Sequence, residues 1–73
     1  MACVSADGKP TENGLAMIKA VLDQAKQPEA VAGETGLPLF RVRSGLRELE
    51  AAGFVSQTDH GYLATDKGKE IAA

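Results

Sequence analysis

Three arginines and one serine lie within a short stretch near the middle of the chain, between Arg41 and Arg47. A guanidinium donates paired hydrogen bonds to a guanine edge or to a phosphate, and a serine hydroxyl can reach either acceptor. The alternative interpretation is that the arginines are ordinary solvated side chains, or partners of Glu48 or Glu50. The candidate site residues of this stretch are Phe40, Arg41, Arg43, Ser44 and Arg47.

The same stretch predicts the amphipathic helix that would position these side chains. Pro38 begins this helix and Gly53 ends it. Four apolar residues recur at helical spacing and fall within one narrow arc, which we expect to face the core. These residues are Leu39, Val42, Leu46 and Leu49. The candidate site residues therefore lie on the opposite face or on its flanks, while Gly45 lies near the core arc and loosens the helix unless another backbone packs on it.

Two further helices are predicted before this one. Thr11 is a good N-cap for a helix over 12–26, and a proline at the first helical position starts a second helix over 28–35. Gly36 would end the second helix in the left-handed conformation. Gly33 inside so short a helix costs about 0.5–1 kcal/mol relative to alanine, so either packing holds the helix or a backbone comes close. The core stripe of the first helix is Leu15, Ile18, Val21, Leu22 and Ala25.

A β-hairpin and a short helix are predicted after it. Strands over 54–58 and 62–64 flank a tight turn over 59–61, where glycine supplies the permissive backbone. Thr65 then caps a last helical turn over 66–72. Because a two-stranded hairpin is barely stable alone, we expect it to pack on the helices in a single α+β domain.

The chain divides into residues 1–10, an N-terminal tail or short hairpin, and residues 11–73, the domain. An internal sequence similarity, called here the sequence echo, favours an ordered structure for residues 1–10. The segment from Cys3 to Gly14 resembles the segment from Phe54 to Gly68, since both contain a strand-like start, an aspartate and glycine in a turn, and a capping threonine.

Composition limits the function classes. A chain of 73 residues with a net charge of −2 has room for one small domain and gains little non-specific affinity from DNA phosphates. Cys3 is the only cysteine, so an internal disulfide and a zinc quartet are not possible. We expect Cys3 to be incidental, and the alternatives are an intermolecular disulfide or a shared metal ligand in a dimer. We expect no cofactor, no metal and no enzymatic activity, because no constellation of residues supports one. Without an apolar run long enough for a signal or a membrane span, the expected location is the cytoplasm.

The order of these elements resembles the winged helix-turn-helix domains of ArsR-like and MarR-like small transcriptional regulators. The resemblance covers about Glu12 to Ile71. The segments that carry it are Pro28-Glu29-Ala30-Val31-Ala32, Thr35-Gly36-Leu37-Pro38, Val42, Leu46-Arg47-Glu48-Leu49-Glu50, Gly53-Phe54-Val55 and Tyr62-Leu63-Ala64-Thr65-Asp66-Lys67-Gly68. It implies that the third helix is a recognition helix for the DNA major groove and that the hairpin is a wing. In the wing, His60 and Lys67 would contact phosphates.

Two functions follow from this resemblance. The first is a transcriptional regulator that binds double-stranded DNA, with a homodimer as its expected form. The second is a protein-interaction module of the same fold within a transcription or chromosome assembly, anchored by Phe40. Phe40 stands where such families usually carry a small polar residue. One interpretation is that its ring touches a thymine methyl, and a second is that it anchors a protein partner or fills a dimer seam. A third interpretation of Phe40 is purely structural, in which its ring folds over the helix start and covers Leu37 or Pro38.

Overall fold

The structure is a computed structural model that describes residues 3–73; Met1 and Ala2, which belong to the predicted tail or hairpin, lie outside the described residues. The two strands pair antiparallel, with Val55 opposite Ala64 and Thr58 opposite Gly61. The fold is therefore α+β, with an order of helices and hairpin that is compatible with a winged-helix layout. Its elements are α1 (Glu12–Ala20), α2 (Pro28–Thr35), α3 (Leu39–Ala51), β1 (Val55–Thr58), β2 (Gly61–Ala64) and α4 (Asp66–Ala72).

Short-range signals locate four of the helix ends. Thr11 and Thr65 have extended backbones, and the side-chain oxygen of each accepts a hydrogen bond from the amide three residues later, at 3.3 and 3.2 Å. Pro28 starts α2, and Gly36 ends it with a φ of 76°. Both features are the ones that the sequence predicts, because a cap acts on the nearest turn of its own helix.

The first helix is shorter than the predicted 12–26, since it ends at Ala20. Beyond that point the backbone oxygen of Val21 accepts a hydrogen bond from the amide of Ala64, at 2.9 Å. Lys26 and Tyr62 exchange two backbone hydrogen bonds, of 3.0 and 2.8 Å, as an isolated antiparallel bridge. Because the chain leaves the helix after Ala20, its backbone can form hydrogen bonds with the second edge of β2. Helical periodicity does not indicate this long-range pairing.

One hydrophobic core joins the helices to the hairpin. On α3, Val42, Leu46 and Leu49 are fully buried as predicted, while Leu39 is half-buried. On the first helix the predicted stripe is only partly correct, because Met17, which it omits, is fully buried. The half-buried members of that stripe are Leu15, Leu22 and Ala25. The buried residues of the core are Cys3, Met17, Ile18, Ala20, Val21, Val31, Val42, Leu46, Leu49, Phe54, Val55, Tyr62 and Ala64.

Two helical glycines have contrasting surroundings. Gly33 is exposed, and a Cβ added there would meet nothing within 4 Å, so no backbone approaches this position. Packing through the buried Val31 holds α2 instead. Gly45 is buried, and a Cβ there would come closer than 3.0 Å to side-chain atoms of Cys3 and Met17. The space at Gly45 is thus filled by the side chains of Cys3 and Met17, and not by the backbone that the sequence analysis named as the condition for a tightly packed helix.

Residues 3–11 form a small hairpin that fits against α1. Val4 bridges Pro10 in antiparallel fashion, and the amide of Thr11 donates to the backbone oxygen of Cys3, at 2.8 Å. The second half of the sequence echo has the same geometry, because the amide of Thr65 donates to the backbone oxygen of Phe54, at 3.0 Å. Each of the two segments is therefore a strand-turn-helix unit, which ends in α1 or in α4. These two helices pack against each other.

Cys3 lies in the hydrophobic core, where only 1% of its surface is exposed. Burial raises the pKa of the Cys3 thiol, and the nearby Glu48 carboxylate adds to the effect. We expect a thiol-alkylating reagent at pH 8 to modify the native protein at least about tenfold more slowly than the unfolded one, because opening of the N-terminal hairpin must come first. Mass spectrometry of timed samples with and without denaturant measures this ratio, and equal rates would contradict the burial of Cys3.

Candidate nucleic-acid interface

The five candidate residues of α3 share its exposed side. All five are exposed to solvent, whereas the opposite side of the same helix carries fully buried core residues. These five are Phe40, Arg41, Arg43, Ser44 and Arg47. The structure thus brings together on one exposed helix face every candidate that the sequence placed there.

Packing on two sides fixes the orientation of this face. Pro38 is the N-cap residue of α3, and its backbone oxygen accepts from the amides of Arg41 and Val42, at 3.0 and 3.1 Å. Both α1 and α2 pack against α3, and the half-buried Leu37 in the preceding loop packs against the core. The candidate side chains therefore project from a helix whose position the core determines.

Arg43 has a partner that the sequence did not predict. Its Nη2 lies 3.2 Å from Oε2 of Glu29, in the first turn of α2, and so pairs with neither Glu48 nor Glu50 of its own helix. The two side chains remain 53% and 62% exposed, so water and salt weaken the attraction. Arg43 and Glu29 are 14 residues apart in the sequence, so no local sequence pattern indicates this pair. The packing of α2 against α3 brings the two side chains together.

Phe40 and Arg41 form a small surface cluster at the start of α3. Phe40 is 69% exposed, which argues against the interpretation that its ring folds over the helix start and covers Leu37 or Pro38. The Arg41 guanidinium lies 5.7 Å from the centre of that ring, at the distance of an exposed cation–π contact. An apolar ring and a cation are therefore presented side by side.

His60 lies in the turn at the tip of the hairpin and is exposed. Its amide donates to Oγ1 of Thr58, at 3.1 Å, and that hydroxyl donates to the backbone oxygen of Gly61, at 2.8 Å. These bonds fix the backbone of the turn and leave the imidazole at the surface. His60 can therefore reach a ligand only if the tip of the hairpin does.

Lys67 contacts the end of α3 instead of projecting from the hairpin. Its Nζ donates to the backbone oxygen of Ala52, at 2.8 Å, and lies 4.6 Å from the centre of the Phe54 ring. A cation at the C-terminal end of a helix is favourable, so this lysine stabilises the junction between α3 and the hairpin. Its predicted role as a phosphate contact would require the amine to leave both partners.

Other kinds of site have little support in residues 3–73. Across that range no group of three or more histidine, cysteine, aspartate or glutamate side chains is placed to hold a metal ion. None of the helices described above combines the length and apolar character that crossing a membrane requires. The chain matches no protein-family model and no curated protein sequence. The family resemblance consequently depends on the residues and the order of elements alone.

Proposed function

We propose that this chain is a winged helix-turn-helix domain that regulates transcription by binding double-stranded DNA with α3 in the major groove. The observation that carries the proposal is the division of α3 into a buried face and an exposed face with three arginines and a serine. In the helix-turn-helix arrangement, the second helix of the pair enters the groove and its N-terminal residues contact base edges. Arg41 and Arg43 occupy that end of α3.

Charge limits the strength of this binding. The three arginines of residues 37–52 are opposed by Glu48 and Glu50, which leaves +1 in a chain whose net charge is −2. Three to five phosphate contacts would give a slope of about −3 to −5 for log affinity against log salt concentration. A monomer of this kind binds weakly, so the proposed regulator is a homodimer on a two-fold-symmetric site.

A second candidate function is a protein-interaction module of the same fold, and the exposure of Phe40 favours it. Large aromatic side chains are common anchors of protein interfaces, where they fill a pocket of the partner. Phe40 is 69% exposed, and its ring lies beside Arg41, the other residue type enriched at such anchors. The partner would cover the same face of α3, so the two functions compete for one surface.

A DNA titration followed by NMR separates these candidates. With a mixed-sequence duplex at about 50 mM salt, we expect the amide signals of residues 39–47 to shift, and at about 200 mM salt we expect affinity to fall by roughly 10²–10³-fold. Phe40→Ala should weaken DNA binding only modestly. The signals of α1, which packs behind α2 and α3, provide the internal control.

Two results would contradict the DNA proposal. If the wild type shows no shift at low salt, DNA binding is wrong. If the shifts are independent of salt and spread evenly over the domain, the exposed face of α3 is not the binding surface. Under the protein-interaction alternative, DNA moves no α3 amide and Phe40→Ala is the damaging change for the partner complex.

A further inference from the structure

The ion pair between α2 and α3 combines a candidate DNA contact with an acidic residue. Nη2 of Arg43 and Oε2 of Glu29 are 3.2 Å apart, and both side chains are more than half exposed. The bond uses one of the five N–H donors of the guanidinium. Arg43 can therefore keep this partner while its remaining donors meet another acceptor.

The N-terminal end of α2 is a poor place for a phosphate. A helix start usually attracts anions through its free amides and its dipole. Here Pro28 has no N–H, and the amides of Ala30 and Val31 donate to the backbone oxygen of Gln27, at 3.0 and 3.2 Å. The Glu29 carboxylate adds a negative charge in the same turn, which repels a phosphate near Arg43.

A guanine edge does not meet this repulsion. Its O6 and N7 atoms accept hydrogen bonds but carry no net charge, so the carboxylate of Glu29 opposes a phosphate far more than a base. The pair also restricts the side chain of Arg43, which reduces the conformational entropy lost when the guanidinium docks. Both effects favour base recognition over backbone contact.

We propose that Glu29 is the specificity-determining residue of this interface, because its ion pair directs Arg43 to a guanine edge and away from phosphates. The inference rests on the proposed DNA binding and adds a role for a residue of α2 that would not itself touch DNA. Glu29 acts as a positioning residue in this scheme, and Arg43 makes the contact.

Glu34 supplies a matched control for the charge of Glu29. It also belongs to α2, is also exposed, and is also paired, with its Oε2 2.7 Å from Nζ of Lys26. Glu34→Gln changes the net charge by the same amount as Glu29→Gln but leaves Arg43 and its partner intact. Any effect of Glu29→Gln that Glu34→Gln lacks is therefore due to position and not to net charge.

The experiment selects bound sequences from short duplexes with a randomised centre and measures affinity for mixed-sequence duplex at several salt concentrations. We expect the wild type and Glu34→Gln to enrich guanine at one position of the site. Glu29→Gln should reduce that enrichment by on the order of tenfold, because the arginine loses its orientation. It should also bind mixed-sequence duplex up to about eightfold more tightly at 0.1 M salt. The slope of log affinity against log salt concentration should be steeper by about 0.9, as one added phosphate contact predicts.

Arg43→Lys and an NMR readout keep the test independent of folding effects. Arg43→Lys retains the charge but loses the planar guanidinium, which donates paired hydrogen bonds. Guanine enrichment should therefore fall, while the salt dependence of binding should become no steeper. In the absence of DNA, ¹⁵N relaxation at Nε of Arg43 should report a more mobile side chain in Glu29→Gln than in the wild type and in Glu34→Gln. Thermal unfolding of each variant verifies that the domain remains folded.

The outcomes distinguish this inference from the function on which it rests. If Glu29→Gln and Glu34→Gln have the same selectivity and salt slope, the role of Glu29 is wrong while DNA binding stands. Equal mobility of Arg43 Nε in all three proteins also overturns the positioning role. If the wild type binds no duplex at low salt, the proposed function fails and this inference fails with it.

Discussion

Gly68→Ala is expected to lower the melting temperature by about 10–20 °C, the loss that roughly 2–3 kcal/mol produces in a domain of this size. A Cβ at residue 68 would come closer than 3.0 Å to the carbonyl oxygen of Phe54, a separation that real Cβ atoms do not show. That oxygen cannot move freely, because it accepts the amide of Thr65 at 3.0 Å. A core this small supplies only about 3–5 kcal/mol, so the variant should be partly unfolded at room temperature.

The sequence echo supplies a second variant for the same experiment. Gly14→Ala would place its Cβ against the carbonyl oxygen of Cys3, also closer than 3.0 Å. That oxygen belongs to a short hairpin near the end of the chain, whereas Phe54 joins α3 to β1 inside the core. We therefore expect Gly14→Ala to destabilise the protein in the same direction as Gly68→Ala but by less.

Gly33→Ala is the matched control, because the added methyl group meets nothing within 4 Å. Alanine is the better helix former by up to about 1 kcal/mol, so this variant should unfold at an equal or higher temperature than the wild type. Thermal unfolding followed by circular dichroism measures all three glycine variants. A Gly68→Ala protein that melts within a degree of the wild type would contradict the close packing of α4 on the junction at Phe54.

The elements that the sequence predicted well are those with short-range signals. Thr65, Pro28 and Gly36 act on the nearest turn of a helix, so their types and positions suffice to locate its ends. The arc of Val42, Leu46 and Leu49 likewise belongs to one helix and was correctly assigned to the core.

The features that the sequence missed depend on contacts between distant segments. The first helix ends early because Lys26 pairs with Tyr62, and no pattern within residues 12–26 contains that information. Cys3 is buried because the N-terminal hairpin brings it against Gly45 and Met17. At the candidate site, the positions of the exposed residues on α3 followed from periodicity, but their side-chain partners did not.

The side-chain partners at the site illustrate this limit most clearly. Helical spacing suggested acidic partners on the same helix for the arginines, yet Arg43 pairs with Glu29 on α2. Lys67 was assigned to the wing by its place in the sequence, but its amine lies over the Phe54 ring and on the Ala52 carbonyl. A long flexible side chain can reach several partners, and only the packed fold selects among them.

Arg43→Glu is expected to weaken binding to mixed-sequence duplex by on the order of 10²-fold at about 50 mM salt, if α3 binds DNA as proposed. The change removes a cation that contacts DNA and adds an anion at the same point, so the charge that faces DNA changes by two units. The new carboxylate would also face Glu29, so any paired arrangement at this position is lost. The expected loss thus exceeds that for an arginine simply removed.

Lys19→Glu makes the same change in net charge on α1 and serves as the control. Lys19 is exposed and borders the groove between α1 and the C-terminal end of α2, on the side of α2 that faces α1. Because α1 packs behind the proposed binding face, we expect Lys19→Glu to weaken binding less than about threefold, through its long-range field alone. Fluorescence anisotropy with a labelled duplex at several salt concentrations compares the two variants. Equal losses would mean that binding responds to net charge only, and the assignment of α3 as the DNA-contacting helix would then be wrong.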